Sequence, residues 1–171
     1  MYNRILAPLD GSKMSECSLS HIKEIGTGCH VAEVVLLTVL ESVTASFFWA
    51  ASMAQVDAVI AENDKNRQQM HQKAEAYLNG ISESLRLAGL SAQSVIIEEH
   101  ENLKAADIIL DYAQNNNIDL IVMSTHGRSG IARWSFGSVA DRVVRHATVP
   151  VLTVAPEGCR APDAPLYHAK V

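Results

Sequence analysis

Cysteine is scarce in this chain. Three are present, Cys17, Cys29 and Cys159, an odd number without C-x-x-C spacing, which excludes a disulfide framework or a zinc cluster as the organising device. No long apolar run is present either. The longest candidate, Val43 to Ala54, is short of the about 20 residues that a membrane-spanning helix requires. The start lacks a charged segment followed by an apolar one, so no signal peptide is read and a cytoplasmic, reducing location is expected. Basic clusters are missing as well. With 14 basic and 19 acidic residues the net charge is −5, which opposes nucleic-acid binding, although Arg128, Arg133 and Arg142 remain compatible with a small anion. Aromatics are few, at three Phe, two Trp and four Tyr, and Phe47-Phe48-Trp49 gathers three of them beside Met53. That cluster is either a satellite of the core or a lid or interface. No Pro-rich, Ser-rich or low-complexity linker interrupts the chain before Pro156, and 171 residues at 48% hydrophobic can bury one sizeable core, so a single domain is expected.

What is present alternates strand with helix. Tyr2 to Pro8, Val31 to Leu40, Ser94 to Ile97, Ile118 to Met123 and Val149 to Val154 read as apolar or β-branched strands. Between them, Ser12 to Glu24 predicts a helix ended by Gly26 and Gly28. Met70, Ala74, Tyr77, Ile81, Leu85 and Ala88 predict a longer one over 68–88, closed by Gly89 and Leu90. Ala105, Ile109, Tyr112 and Ala113 mark another, and Val139, Val143, Val144 and Ala147 the last. Glu62 to Arg67 has no apolar stripe and reads as a solvated helix face or a break. Five strands alternating with four helices predict an α/β fold, a parallel sheet covered on both faces.

Two strand ends carry polar, turn-forming residues. Leu9-Asp10-Gly11-Ser12 follows the first strand, and Ser124-Thr-His-Gly127-Arg-Ser-Gly130 follows the fourth, with nine residues between Gly127 and the Gly137-Ser138 pair that opens the last helix. Glycines let a backbone approach a ligand closely, and a helix N-terminus presents unpaired amides, so the second stretch predicts an anion cradle. Gly-rich turns also merely connect elements, and Ser138 also suits an N-cap.

Pro8-Leu-Asp-Gly-Ser12, Leu36-Leu-Thr-Val39, Asp119 to Gly130, Gly137-Ser-Val-Ala140 and Val149 to Val154 resemble, in order, the signature segments of the universal stress proteins. The resemblance covers nearly the whole chain, as a domain over 1–155 with an elaboration at 41–67 and a tail at 156–171. It implies an open, Rossmann-like five-stranded parallel sheet in the order 3-2-1-4-5, of the adenine nucleotide alpha hydrolase type. It also implies an adenine nucleotide at the carboxyl edge: ATP, with Mg2+ accompanying it, or AMP or cyclic AMP. Gly127, nine residues and Gly137-Ser138 match the ATP-binding branch, whereas Ser124 replaces that pattern's first glycine. By the resemblance Pro8 holds the turn that presents Asp10 to the ribose, Val39 lines the base pocket and offers backbone groups to the base edge, and Met123 packs near the base. Gly127, Arg128, Ser129, Gly137, Ser138 and Val139 surround the phosphates. Asp10 also suits a turn or cap, Val39 an ordinary core position, and His126 a packing or hydrogen-bonding element. A homodimer through the fifth strand, by Val149, Val151, Leu152 and Val154, is expected. The implied role is a nucleotide-dependent regulatory module; the alternatives are a slow ATP hydrolase, for which the loop has no Walker-A lysine, and an interaction module that binds no ATP.

Overall fold

A computed structural model describes residues 2–41, 53–100, 103–127 and 137–155. Its strands are β1 (Arg4–Pro8), β2 (Glu33–Leu40), β3 (Ala92–Glu98), β4 (Leu120–Ser124) and β5 (Val151–Val154). Interleaved with them are α1 (Lys13–Glu16), α2 (Ser18–Gly28), α3 (Met53–Leu87), α4 (Ala105–Asn115) and α5 (Ser138–His146). The strands form one parallel sheet in the order β3-β2-β1-β4-β5, as the resemblance implied.

Both faces of the sheet are covered because its strands are apolar at consecutive positions, and successive side chains point to opposite sides. Ile5, Ala7, Val34, Leu36, Leu120 and Val122 pack on one face against Ile22 of α2 and Leu78, Ile81 and Leu85 of α3. Leu6, Val35, Leu37, Ile121 and Met123 pack on the other against Ala106, Ile109 and Ala113 of α4 and Ala140 and Val143 of α5. At the amino edge Arg4 pairs with Glu33 at 2.8 Å and donates to the Asn116 carbonyl and to Gln93 Oε1, tying three strands to the end of α4. Among the described residues no helix is long and apolar enough to cross a membrane.

Three expectations about helices are corrected. The first helix is two pieces that meet at Cys17, and the second piece runs to Gly28 instead of stopping near Glu24. Gly26 lies inside it as a packing glycine: a Cβ there would meet Leu90 side-chain carbons at 2.8 Å. The chain leaves that helix through His30, whose φ is +55°, with Cys29 N–H on the Ile25 carbonyl and Val31 N–H on the Gly26 carbonyl. The third helix begins at Met53, fifteen residues before the expected Gln68, so Glu62 to Arg67 is helical. Its solvated turns are tied down by tertiary contact, since Arg67 Nε donates at 2.8 Å to Glu98 Oε1, which His71 Nε2 also contacts. Arg67 first, and His71 after it, hold the Glu98 carboxyl below its ordinary value. The expected closure of α3 is present: Gly89 has φ +82°, and Leu90, buried, donates to the Leu85 carbonyl. Phe47-Phe48-Trp49 lies outside the described residues.

Candidate functional site

β1 and β4 are adjacent and parallel, so their carboxyl ends, and the turns that follow, emerge side by side. After β1, Asp10 shapes its own turn. Its Oδ1 accepts the Ser12 N–H at 2.9 Å and the Ser12 hydroxyl at 2.6 Å, while Ser12 Oγ caps α1 by accepting the Ser15 N–H at 3.2 Å. Gly11 supplies the left-handed φ of +82° that this turn requires. The other carboxylate oxygen of Asp10 faces Gly127, where a Cβ would overlap it.

After β4 the backbone is fixed by its own polar groups. Thr125 N–H donates to the Val154 carbonyl at 2.9 Å, and Gly137 N–H donates to the Thr125 carbonyl at 2.8 Å, which sets the start of α5 against the end of β4. Ser124 Oγ accepts the His126 N–H at 3.2 Å, and His126 Nδ1 lies 2.9 Å from Thr125 Oγ1. Ser124, Thr125 and His126 are all buried. Gly137, at φ −60°, is the N-cap of α5 with no side-chain cap bond, and the first intrahelical bond runs from Asp141 N–H to its carbonyl. Among the described residues no acceptor meets the amides of Ser138, Val139 and Ala140, which the helix itself leaves at its mouth.

These turns enclose one end of a cavity of about 290 Å3 at the carboxyl edge of the sheet. Asp10, Ser15, His126, Gly127 and Ser138 make that end polar. Leu37, Val39, Ala105, Ile109 and Met123 make the middle apolar, and Glu41 and Glu99 line it near the ends of β2 and β3. Val39 has a further property. Odd residues of β2 turn their backbone toward β1, as Leu37 does in accepting the Leu9 N–H, and even ones toward β3, as Leu40 does in accepting the Glu99 N–H. β1 pairs with β2 only as far as Pro8 opposite Leu37, so the Val39 N–H and C=O face the cavity side beyond the end of the ladder.

Ten of the residues singled out from sequence, Pro8, Asp10, Val39, Met123, Ser124, His126, Gly127, Gly137, Ser138 and Val139, line this one cavity. Arg128 and Ser129 lie outside the described residues. Ser15, Thr125, Glu41, Glu99, Ala105 and Ile109 also line it and escaped the sequence reading. Ala105 and Ile109 carried a signal, an apolar pair at helical spacing, but nothing in the sequence said that this face borders a ligand-sized gap. Among the described residues no three His, Cys, Asp or Glu side chains gather as a metal site would require.

The family model for the universal stress proteins matches residues 1–155. The chain belongs to the universal stress protein family. It is similar to a universal stress protein of Methanocaldococcus jannaschii, 26% identical over 161 residues that cover 90% of this chain and 95% of that one. A solved structure of the protein with that designation superposes with a TM-score of 0.74 at 25% identity, covering 92% of this chain and 98% of the other. Two more distant structures share the fold at a TM-score of 0.62 each. One is a universal stress protein in complex with cyclic AMP, 18% identical over 90% of this chain and 97% of that one. The other is an Arabidopsis thaliana family member with AMP bound, 17% identical over 95% of this chain and 97% of that one.

Proposed function

We propose that the cavity binds an adenine nucleotide, ATP in the first place and AMP or cyclic AMP as alternatives, and that this universal stress protein is a cytoplasmic stress-response module signalling through nucleotide-dependent contacts of a homodimer or a partner. The observation that carries the reading is the pairing of two features in one cavity: three open amides at the mouth of α5, suited to phosphate, and an apolar slot beneath the exposed backbone of Val39, suited to a base. Asp10 stands where the β1 and β4 turns meet and would accept ribose hydroxyls. The AMP and cyclic AMP held by the two distant relatives agree with a ligand of this class. Mg2+ would reach the site largely through ATP phosphates and water, as it does where protein carboxylates are few.

Isothermal titration of the purified chain with ATP, AMP and cyclic AMP tests this. The expected result is saturable binding of at least one of them at one site per chain. No heat with any of the three, from folded protein, would leave an interaction module without a nucleotide. Release of inorganic phosphate from bound ATP would add slow hydrolysis to the function.

A further inference from the structure

Glu99 is a carboxylate held in one place. Its own N–H donates to the Leu40 carbonyl at 2.8 Å, and its Oε1 accepts the Ala105 N–H at 2.9 Å, capping α4. Its Oε2 lies 3.3 Å from the Lys104 ammonium, whose side chain is 70% exposed, whereas that of Glu99 is only 12% exposed. It lines the cavity next to Ala105 and Ile109, across from the donor-rich mouth of α5. Around the ends of β2 and β3 the described side-chain polar groups lining the cavity are this carboxylate and that of Glu41. Both only accept, and a carboxylate has about four acceptor positions, of which Glu99 uses two.

A purine seated in the apolar slot with its phosphates at α5 turns an edge toward this wall. If the base turns the N7 side of its 6-position to this wall and leaves the N1 side to the Val39 backbone, a 6-amino group gives the carboxylate one of its two N–H bonds, whereas a 6-oxo group, whose N1–H then points away toward Val39, sets lone pairs against the carboxylate in a partly desolvated space. We propose that Glu99 determines base selectivity in this cavity, favouring a purine with a 6-amino group over its 6-oxo counterpart. This inference rests on the nucleotide reading above and adds a residue to it.

Titration calorimetry with ATP and with inosine triphosphate, which differ at this position of the base edge, separates the two ideas. The wild type is expected to prefer ATP by about tenfold or more, the scale of one hydrogen bond to a charged group. Glu99→Gln keeps an oxygen for the Ala105 N–H and turns the other position into a donor, so most of that preference should vanish, chiefly through tighter inosine triphosphate binding. A purely structural role as the cap of α4 predicts instead an unchanged ATP to inosine triphosphate ratio in Glu99→Gln, and that result would overturn the proposal. Equal affinity of the wild type for the two nucleotides would overturn it without any variant and leave nucleotide binding standing. Failure of the wild type to bind either one would remove both.

Discussion

Gly127 is a glycine because of its neighbour, not its backbone angle. Its φ is outside the left-handed region, but a Cβ would overlap the Asp10 carboxylate, which is itself held by two bonds from Ser12. Gly127→Val should displace Asp10 and lower nucleotide affinity at least about tenfold, with a loss of roughly 1–3 kcal/mol in stability from overpacking. At Gly137 a Cβ would sit 3.2 Å from the Thr125 carbonyl oxygen, so Gly137→Val should push the mouth of α5 away from β4 and weaken binding similarly. Calorimetry paired with thermal melts reads both, and intact affinity in two folded variants would move the phosphate site elsewhere. Ser124 closes β4 opposite Val154, without positive φ. Its hydroxyl serves the His126 N–H. Ser124→Gly should therefore leave affinity unchanged or modestly tighter while lowering stability by about 1 kcal/mol, the scale of one hydrogen bond and the added backbone freedom. A large loss of affinity would show that the hydroxyl touches the ligand.

Within the long helix α3, Tyr77 is a polar group in an apolar seam. It packs against the core, and its hydroxyl is buried with no aligned hydrogen bond among the described residues. Burial above all pushes its ionisation up to about 12 from 10.0, with the Glu16 and Asp10 carboxylates adding to it and the nearby Ser15 opposing. Because the folded state holds this proton more tightly than the unfolded one, its contribution is complete below pH 10 and is lost as pH rises from about 10 to about 12. Denaturant melts of Tyr77→Phe should show stability equal to or slightly above wild type at pH 7, since the substitution removes an unpaired buried hydroxyl, and a smaller fall across that alkaline window. A marked loss at neutral pH would mean that the hydroxyl has a partner. The same helix shows what local pattern leaves open: Glu62 to Arg67 is polar all round, and the remote carboxylate of Glu98, met by Arg67 and His71, ties those turns to the fold. That pairing strengthens the fold above the ordinary carboxylate range and fades as pH falls through the lowered Glu98 value.

For the molecule as a whole, β5 is one of the two edge strands of the sheet, β3 being the other. The Pro150 and Val154 carbonyls turn toward β4, accepting from Ile121 and Thr125, so the alternate residues Val151 and Thr153 turn their N–H and C=O groups outward. Such an edge templates pairing with a second strand, and a two-fold copy of itself is the simplest closed partner. Leu152 is only partly buried, but its side chain packs against the core beneath α2 and α3, so changing it would disturb packing as well as the edge. The informative substitution is therefore Thr153→Pro, which deletes an outward donor and spares the packing. Light scattering should give about twice the 18.6 kDa chain mass for the wild type and a shift toward one chain mass for Thr153→Pro. A monomeric wild type would defeat the dimer; an unchanged variant would place its contact away from β5.

Strand positions, the covering of both sheet faces and the two turns that border the cavity were legible in the residues themselves. Consecutive apolar positions such as Val34 to Leu37 have one low-energy use, a strand buried on both sides, and glycine and aspartate after a strand have few uses but a turn. The resemblance to a known family added the strand order. Tertiary structure alone decided which lone groups acquired partners. Gly26 looked like a helix stop and became a packing contact, because Leu90, far along the chain, came to rest against it. Glu99 drew no notice in the sequence and is a pinned acceptor on the wall of the cavity, because α4 starts beside the end of β3. Periodicity and turn chemistry are local and are written in neighbouring residues, whereas burial and pairing depend on elements that meet only once the sheet has closed over its core.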